Sequence, residues 1–270
     1  MAAEHVVPAI SATQLKDLTI GLQKSVADLH QVNLLYGLVR LGLLIALLLA
    51  GAWLFWGSQS WGLAVVGLML MGIAECGLLI CTHEAIHGTL LARPKLEILI
   101  SCLISWPMAW PTLSYGILHR LHHCWNAHDP RDPERVDGHA NHWLWHVFGL
   151  GGLGMVFSSY RQALLLGDLD GRLSRRMLLD MAGSGLILGS LVLIAFQHGC
   201  LGRFLLSWLA VERISGAVLQ YRALVEHWGL WQPRASHQLT QLYGSRTISV
   251  SPWVNLLMGG LPHHLSLIHI

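Results

Sequence analysis

Residues 61–81 read WGLAVVGLMLMGIAECGLLIC and residues 82–88 continue as THEAIHG. The first stretch holds one charge, Glu75, and is long enough to cross the ~30 Å hydrocarbon core of a bilayer as a helix. The second begins where that helix leaves the membrane and sets His83 and His87 four residues apart, on one side of a helix. An apolar span ending in paired imidazoles frames the rest of the chain.

Upstream, Leu41–Gly57 carries no charge and is joined to this span by Ser58-Gln59-Ser60. Trp53, Trp56 and Trp61 bracket the turn, as aromatic residues do at a membrane interface. These two runs predict a transmembrane hairpin. Downstream, Met181–Phe196 and Phe204–Val218 predict a second, joined by a loop with His198 and Cys200, although Glu212 and Arg213 interrupt its second arm. Ile98–Leu113 is apolar but short and contains Pro107 and Pro111, which predicts an interfacial or re-entrant segment; Phe148–Phe157 is of similar character.

Composition agrees. Of 270 residues, 53% are hydrophobic and 12% charged, against about 25% charged in soluble domains. Disorder is excluded by the same apolar content. Five scattered cysteines without a CxxC pair give neither a disulfide framework nor a thiolate zinc site, and no dense Lys/Arg run points to nucleic acid. The expected fold is all-α: an integral membrane protein with about four transmembrane helices in two hairpins. Residues 1–37 form a cytoplasmic N-terminal segment, and 38–264 one membrane domain with a histidine-bearing cap built from 82–176 and 219–264. Of the 17 Lys and Arg residues, Arg203 alone falls in the loops 58–60 and 197–203, and Arg213 alone within a span. The rest fall on the opposite side, which is therefore expected to be cytoplasmic.

The chain has 17 histidines, more than its 15 Asp and Glu residues together, and their placement is informative. His83 and His87 are followed by His119-Arg-Leu-His122-His123, then by Glu226-His227 after the fourth apolar run, then by Pro262-His263-His264. All are expected at one membrane face. Many imidazoles with few carboxylates or thiolates suit iron, zinc or copper rather than magnesium or calcium, and six or more ligands are too many for one zinc, so two ions are inferred. Glu75 is an intramembrane carboxylate, functional by default or else paired with Arg213 or another polar group inside the bundle. His139, His142 and His146 take no role, and His198 lies on the wrong side.

These motifs resemble those of the membrane fatty acid desaturase and hydroxylase superfamily, whose histidine boxes read HxxxH, HxxHH and HxxHH. The resemblance runs from about Ala74 to His264. His83–Gly88 is similar to the first box, with Glu84 where the family often has Asp, and His119–His123 to the second. His128-Asp-Pro-Arg-Asp132-Pro-Glu134 resembles the segment trailing that box. Glu226-His227 is similar to the additional ligand-bearing segment, and Arg246-Thr247 lies in the stretch leading to the third box, which Asn255–His264 resembles up to its first histidine. The resemblance implies His83, His87, His119, His122, His123, His227 and His264 as ligands of two non-haem irons, with Asp132 and Glu226 behind them; Glu75, as an intramembrane carboxylate, is expected to join these two. It implies O2-dependent desaturation or hydroxylation of a lipid acyl chain, with electrons from a separate ferredoxin, rubredoxin or cytochrome-type partner, at the cytoplasmic face of the membrane.

The pattern departs at the end. After His264 the third box asks for two residues and then His-His, whereas residues 265–270 read LSLIHI. That hexapeptide is expected to be non-native read-through, and the chain as written is expected to fold its hairpins but to be inactive or nearly so. The competing reading is an intramembrane zinc metalloprotease, because His83-Glu84-Ala-Ile-His87 is also H-E-x-x-H with Glu84 as general base. It leaves His119–His123 and His227 unexplained. A membrane protein that stores or carries metal is the remaining alternative.

Overall fold

The structure, a computed structural model, describes residues 32–125, 171–227 and 246–259, with Thr13, Asp17 and Leu230 besides. Among the described residues the fold is all-α, without a strand. Helix α1 spans Leu34–Gly57 and α2 spans Trp61–His87. Asn33 caps α1, its Oδ1 accepting from the Tyr36 N–H at 3.1 Å. At the far end of α2, Gly88 takes a left-handed φ of 74° and its N–H returns to Ala85 and Glu84 carbonyls, an ending that glycine adopts without strain. A single helix thus carries the second apolar run and the HxxxH pair.

The α1–α2 hairpin is tight because both helices are bare where they cross. A methyl group at Gly51 would lie 2.7 Å from the Gly67 carbonyl oxygen, and one at Gly67 would lie 2.6 Å from that of Gly51. Small residues let membrane helices approach in this way. Toward the other end, Leu41, Leu44, Leu78, Cys81, Ala85, Leu90 and Leu91 form a buried apolar cluster.

Helix α3 (Pro94–Ser105) ends in a 3-10 turn, Trp106–Met108, and α4 (Thr112–Trp125) leaves at 104° to it. Two prolines explain the break, since each lacks an N–H and disfavours helical backbone at the residue before it. Ala109 completes the corner at φ 56°. Helix α5 (Arg172–Gln197) packs on this corner and on α4, and α6 (Leu201–His227) packs on α2; a short α7 (Pro252–Leu257) follows.

Helices α1, α2 and α5 are long and apolar enough to cross a membrane, and the bent α3–α4 pair is a fourth candidate if taken as one broken span. The fourth span expected at Phe204–Val218 lies in α6, which is not among them. Glu212 and Arg213 lower its apolarity, and these two side chains pair with each other. Outer faces are apolar: Leu35, Trp53 and Leu186 are 69%, 74% and 72% exposed. The two short turns share one end, for Arg203 donates to the Phe55 carbonyl and lies 4.9 Å from the ring centres of both Phe55 and Trp56.

Candidate metal centre

The end of α2 and the middle of α4 meet in a group of imidazoles. His83 and His87 lie one turn apart with ring centres separated by 4.8 Å. His119 of α4 closes the triangle, 4.5 Å from the His83 ring and 5.1 Å from that of His87. One ligating atom from each can be chosen so that all lie within 4.8 Å of one another. His119 Nε2 stands 3.1 Å from His87 Nε2. An imidazole nitrogen binds a metal at about 2.0–2.1 Å, so two that meet one ion at right angles sit ~3 Å apart. The pair has the spacing of adjacent ligands. His122, one turn beyond His119, is buried and stacks on it at 5.6 Å between ring centres.

Neighbouring groups set the orientation of this cluster. The Tyr115 hydroxyl lies 3.2 Å from His119 Nδ1 and its ring stacks on the imidazole at 5.1 Å, leaving Nε2 directed toward His87. Such a partner on the far nitrogen selects the tautomer and fixes the ring. Asp180 of α5, fully buried, supplies the N-terminus of α4 with a cap from another helix. It accepts from the Leu113 and Ser114 N–H groups at 3.1 and 2.8 Å, from Ser114 Oγ at 2.7 Å and from Trp106 Nε1 at 3.1 Å. Glu97 gathers the chain after the first box, accepting from the N–H groups of Leu90, Leu91 and Arg93 at 3.4, 3.0 and 3.0 Å.

Beneath His83, the buried Arg40 guanidinium holds Glu84 at 2.8 Å and donates to Cys81 Sγ at 3.0 Å. The C-terminal stretch crosses over this pair. Gly259, at φ 60°, comes so near that a methyl group there would collide with the Glu84 carboxylate and the Arg40 guanidinium. Leu257 packs on the cluster around Leu41, and Met258 on Cys76 and Ile80. The Arg246 N–H bonds to the Glu226 carbonyl at 3.1 Å. The approach to the third box therefore starts beside the end of α6 and runs to the first box.

His83, His87, His119 and His122 come together. His123 and His227 lie at the ends of α4 and α6, but their side chains fall outside the described residues, as do Asp132, His264 and residues 265–270 entirely. Glu226 is buried and pairs with Arg222 at 3.3 Å. Glu75 does not pair with Arg213, whose partner is Glu212; it is buried against another polar group of the bundle, the Ser215 hydroxyl. Sequence reasoning missed Arg40, Tyr115, Glu97 and Asp180. An Arg just before one apolar run and a Glu just past the end of the next were a readable sign, since an antiparallel hairpin brings those positions to the same side.

A model of the fatty acid desaturase family matches residues 59–266, more than half of the chain. The chain belongs to the fatty acid desaturase family. No curated protein matches it. Membership agrees with helices able to cross a membrane and with a lipid substrate, and it does not favour the zinc protease reading. The geometry argues the same way: a protease's Glu84 would have to face the metal-bound water, whereas in this desaturase-family chain it is held by Arg40.

Proposed function

We propose that the protein oxidises a lipid acyl chain in an O2-dependent reaction, as a desaturase or hydroxylase, at a centre of two non-haem irons. The observation that carries this reading is the convergence of His83 and His87 with His119 from a separate box. His122, His123, His227 and His264 complete the proposed ligand set. When bound, the irons would supply activation of O2 for removal of hydrogen from an unactivated C–H bond. In desaturation, two substrate hydrogens, two donor electrons and two protons together reduce O2 to two waters; the electrons come from an external ferredoxin, rubredoxin or cytochrome-type donor.

The chain's own residues have definite tasks in this scheme. Tyr115 holds the His119 ring with Nε2 inward. Asp132 and Glu226 orient ligand N–H groups. The apolar walls around the bundle admit the acyl chain from the bilayer, and the proposed active site lies on the cytoplasmic face, where the reductant docks. The test is lipid profiling of cells expressing the chain with a His-x-x-His-His box completed from His264. An oxidised acyl product that needs O2 and disappears in His119→Ala is expected; an equal product from His119→Ala contradicts the proposal.

A further inference from the structure

The C-terminal stretch meets the helix of the first box at an ion pair. Arg40 is buried in α1 and held by three groups: Nη1 faces Glu84 Oε1 at 2.8 Å, Nη2 donates to Cys81 Sγ at 3.0 Å, and Tyr36, one turn earlier, reaches the guanidinium as well. Cys81 and Glu84 both belong to α2, so the guanidinium is a fixed post between two helices. A buried ion pair adds little net stability over apolar residues of similar volume. What it can supply is a single geometry.

Three successive residues lock the chain onto this post. Leu257 packs on the cluster around Leu41, Met258 packs on Cys76 and Ile80, and Gly259 lies over Arg40 and Glu84 with no room for a side chain. Its φ of 60° is one that a side chain would also oppose. The register is therefore fixed. Sliding the chain by one residue brings the Met258 side chain onto the ion pair. Sliding it the other way puts Gly259 where Met258 packs and gives up that apolar contact.

Glu84 follows His83 directly, their Cα atoms about 3.8 Å apart, so this seat adjoins the histidine cluster. His264 is five residues beyond Gly259, and five residues span at most about 18 Å. A segment that leaves from a fixed point so near has little chain entropy to lose in bringing His264 to the cluster; a segment with a free start has more. We propose that Arg40 and Glu84 are positioning residues, whose ion pair seats the chain at Gly259 against the first box and so sets where the third box begins.

This inference rests on the reading of the third box as a source of metal ligands, and the two are tested apart. Amide hydrogen exchange is followed on the purified full chain in detergent, with the affinity for ferrous iron measured on the same samples by competition with a chelator. Two variants remove the seat in different ways. Gly259→Ala fills it, whereas Arg40→Met with Glu84→Met takes away both charges and keeps apolar side chains between the helices. In each, amides between Trp253 and His264 are expected to exchange about tenfold faster, the scale of the penalty on an alanine in the left-handed region, while α1 and α2 keep their protection. Iron affinity is expected to fall by about 10–100-fold, as when a group that orients a ligand is lost. With His264→Ala already present, the same variants should lower it by no more than about twofold further, because they act through that residue. Unchanged exchange between Trp253 and His264 in both variants, or protection lost equally along α1 and α2 in both, overturns the proposal. Faster exchange confined to the C-terminal stretch, with iron affinity indifferent to His264→Ala, supports the seat and defeats the assignment of His264 as a ligand. Iron affinity that depends on His264 while neither variant alters exchange does the reverse.

Discussion

His119 owes its orientation to Tyr115, and that bond is open to direct test. Tyr115→Phe removes the hydroxyl and keeps the stacked ring, so the tautomer loses its restraint. Iron affinity is expected to fall by about 10–100-fold, the usual effect of losing a group that orients a ligand, as read by competition with a chelator. An unchanged affinity means that the hydroxyl does not hold His119. The Arg40–Glu84 pair makes a second residue-scale prediction. Removing one partner of a buried pair leaves an unpaired charge, which is worth about 3–5 kcal/mol, whereas replacing both by apolar residues is close to neutral. Arg40→Met alone should therefore destabilise the protein in detergent unfolding, and Arg40→Met with Glu84→Met should recover most of the loss. A double variant as unstable as the single one contradicts the assignment.

At the scale of elements, Asp180 of α5 caps α4, the helix that delivers His119 and His122. Asp180→Ala takes away an acceptor shared by two backbone N–H groups, a hydroxyl and an indole. The expected result is a loss of roughly 1.5–3 kcal/mol with faster amide exchange at the start of α4. Protection unchanged there would show that the helix starts without this cap. Asp180 also marks where reading the sequence stops. The apolar runs, the HxxxH and HxxHH spacings and the proline-broken corner are local patterns, and all were legible. Asp180 meets Ser114 across 66 residues and Arg40 meets Cys81 across 41, distances over which periodicity carries no information. The boundaries of α1 and α2 were blurred for a related reason. Arg40 and His83–His87 read as the ends of apolar runs, yet both continue the helices, because burial and pairing with Glu84 satisfy the one and packing against α4 the other.

For the whole molecule, the low charge of the turns at 58–60 and 197–203 and their meeting at one end through Arg203 predict an orientation. A tag in either turn is expected to be shielded from cytoplasmic labelling reagents, since the Lys- and Arg-rich side stays inside. A tag reached from the cytoplasm reverses the assignment of faces. The proposed site then lies opposite these turns, where the ends of α2, α4 and α6 and the approach through Gly259 converge. Iron and zinc content of the purified protein, with the His-x-x-His-His box completed from His264, tests the central claim most directly. About two irons per chain are expected of a two-metal site; a single zinc per chain, with iron absent, would contradict it.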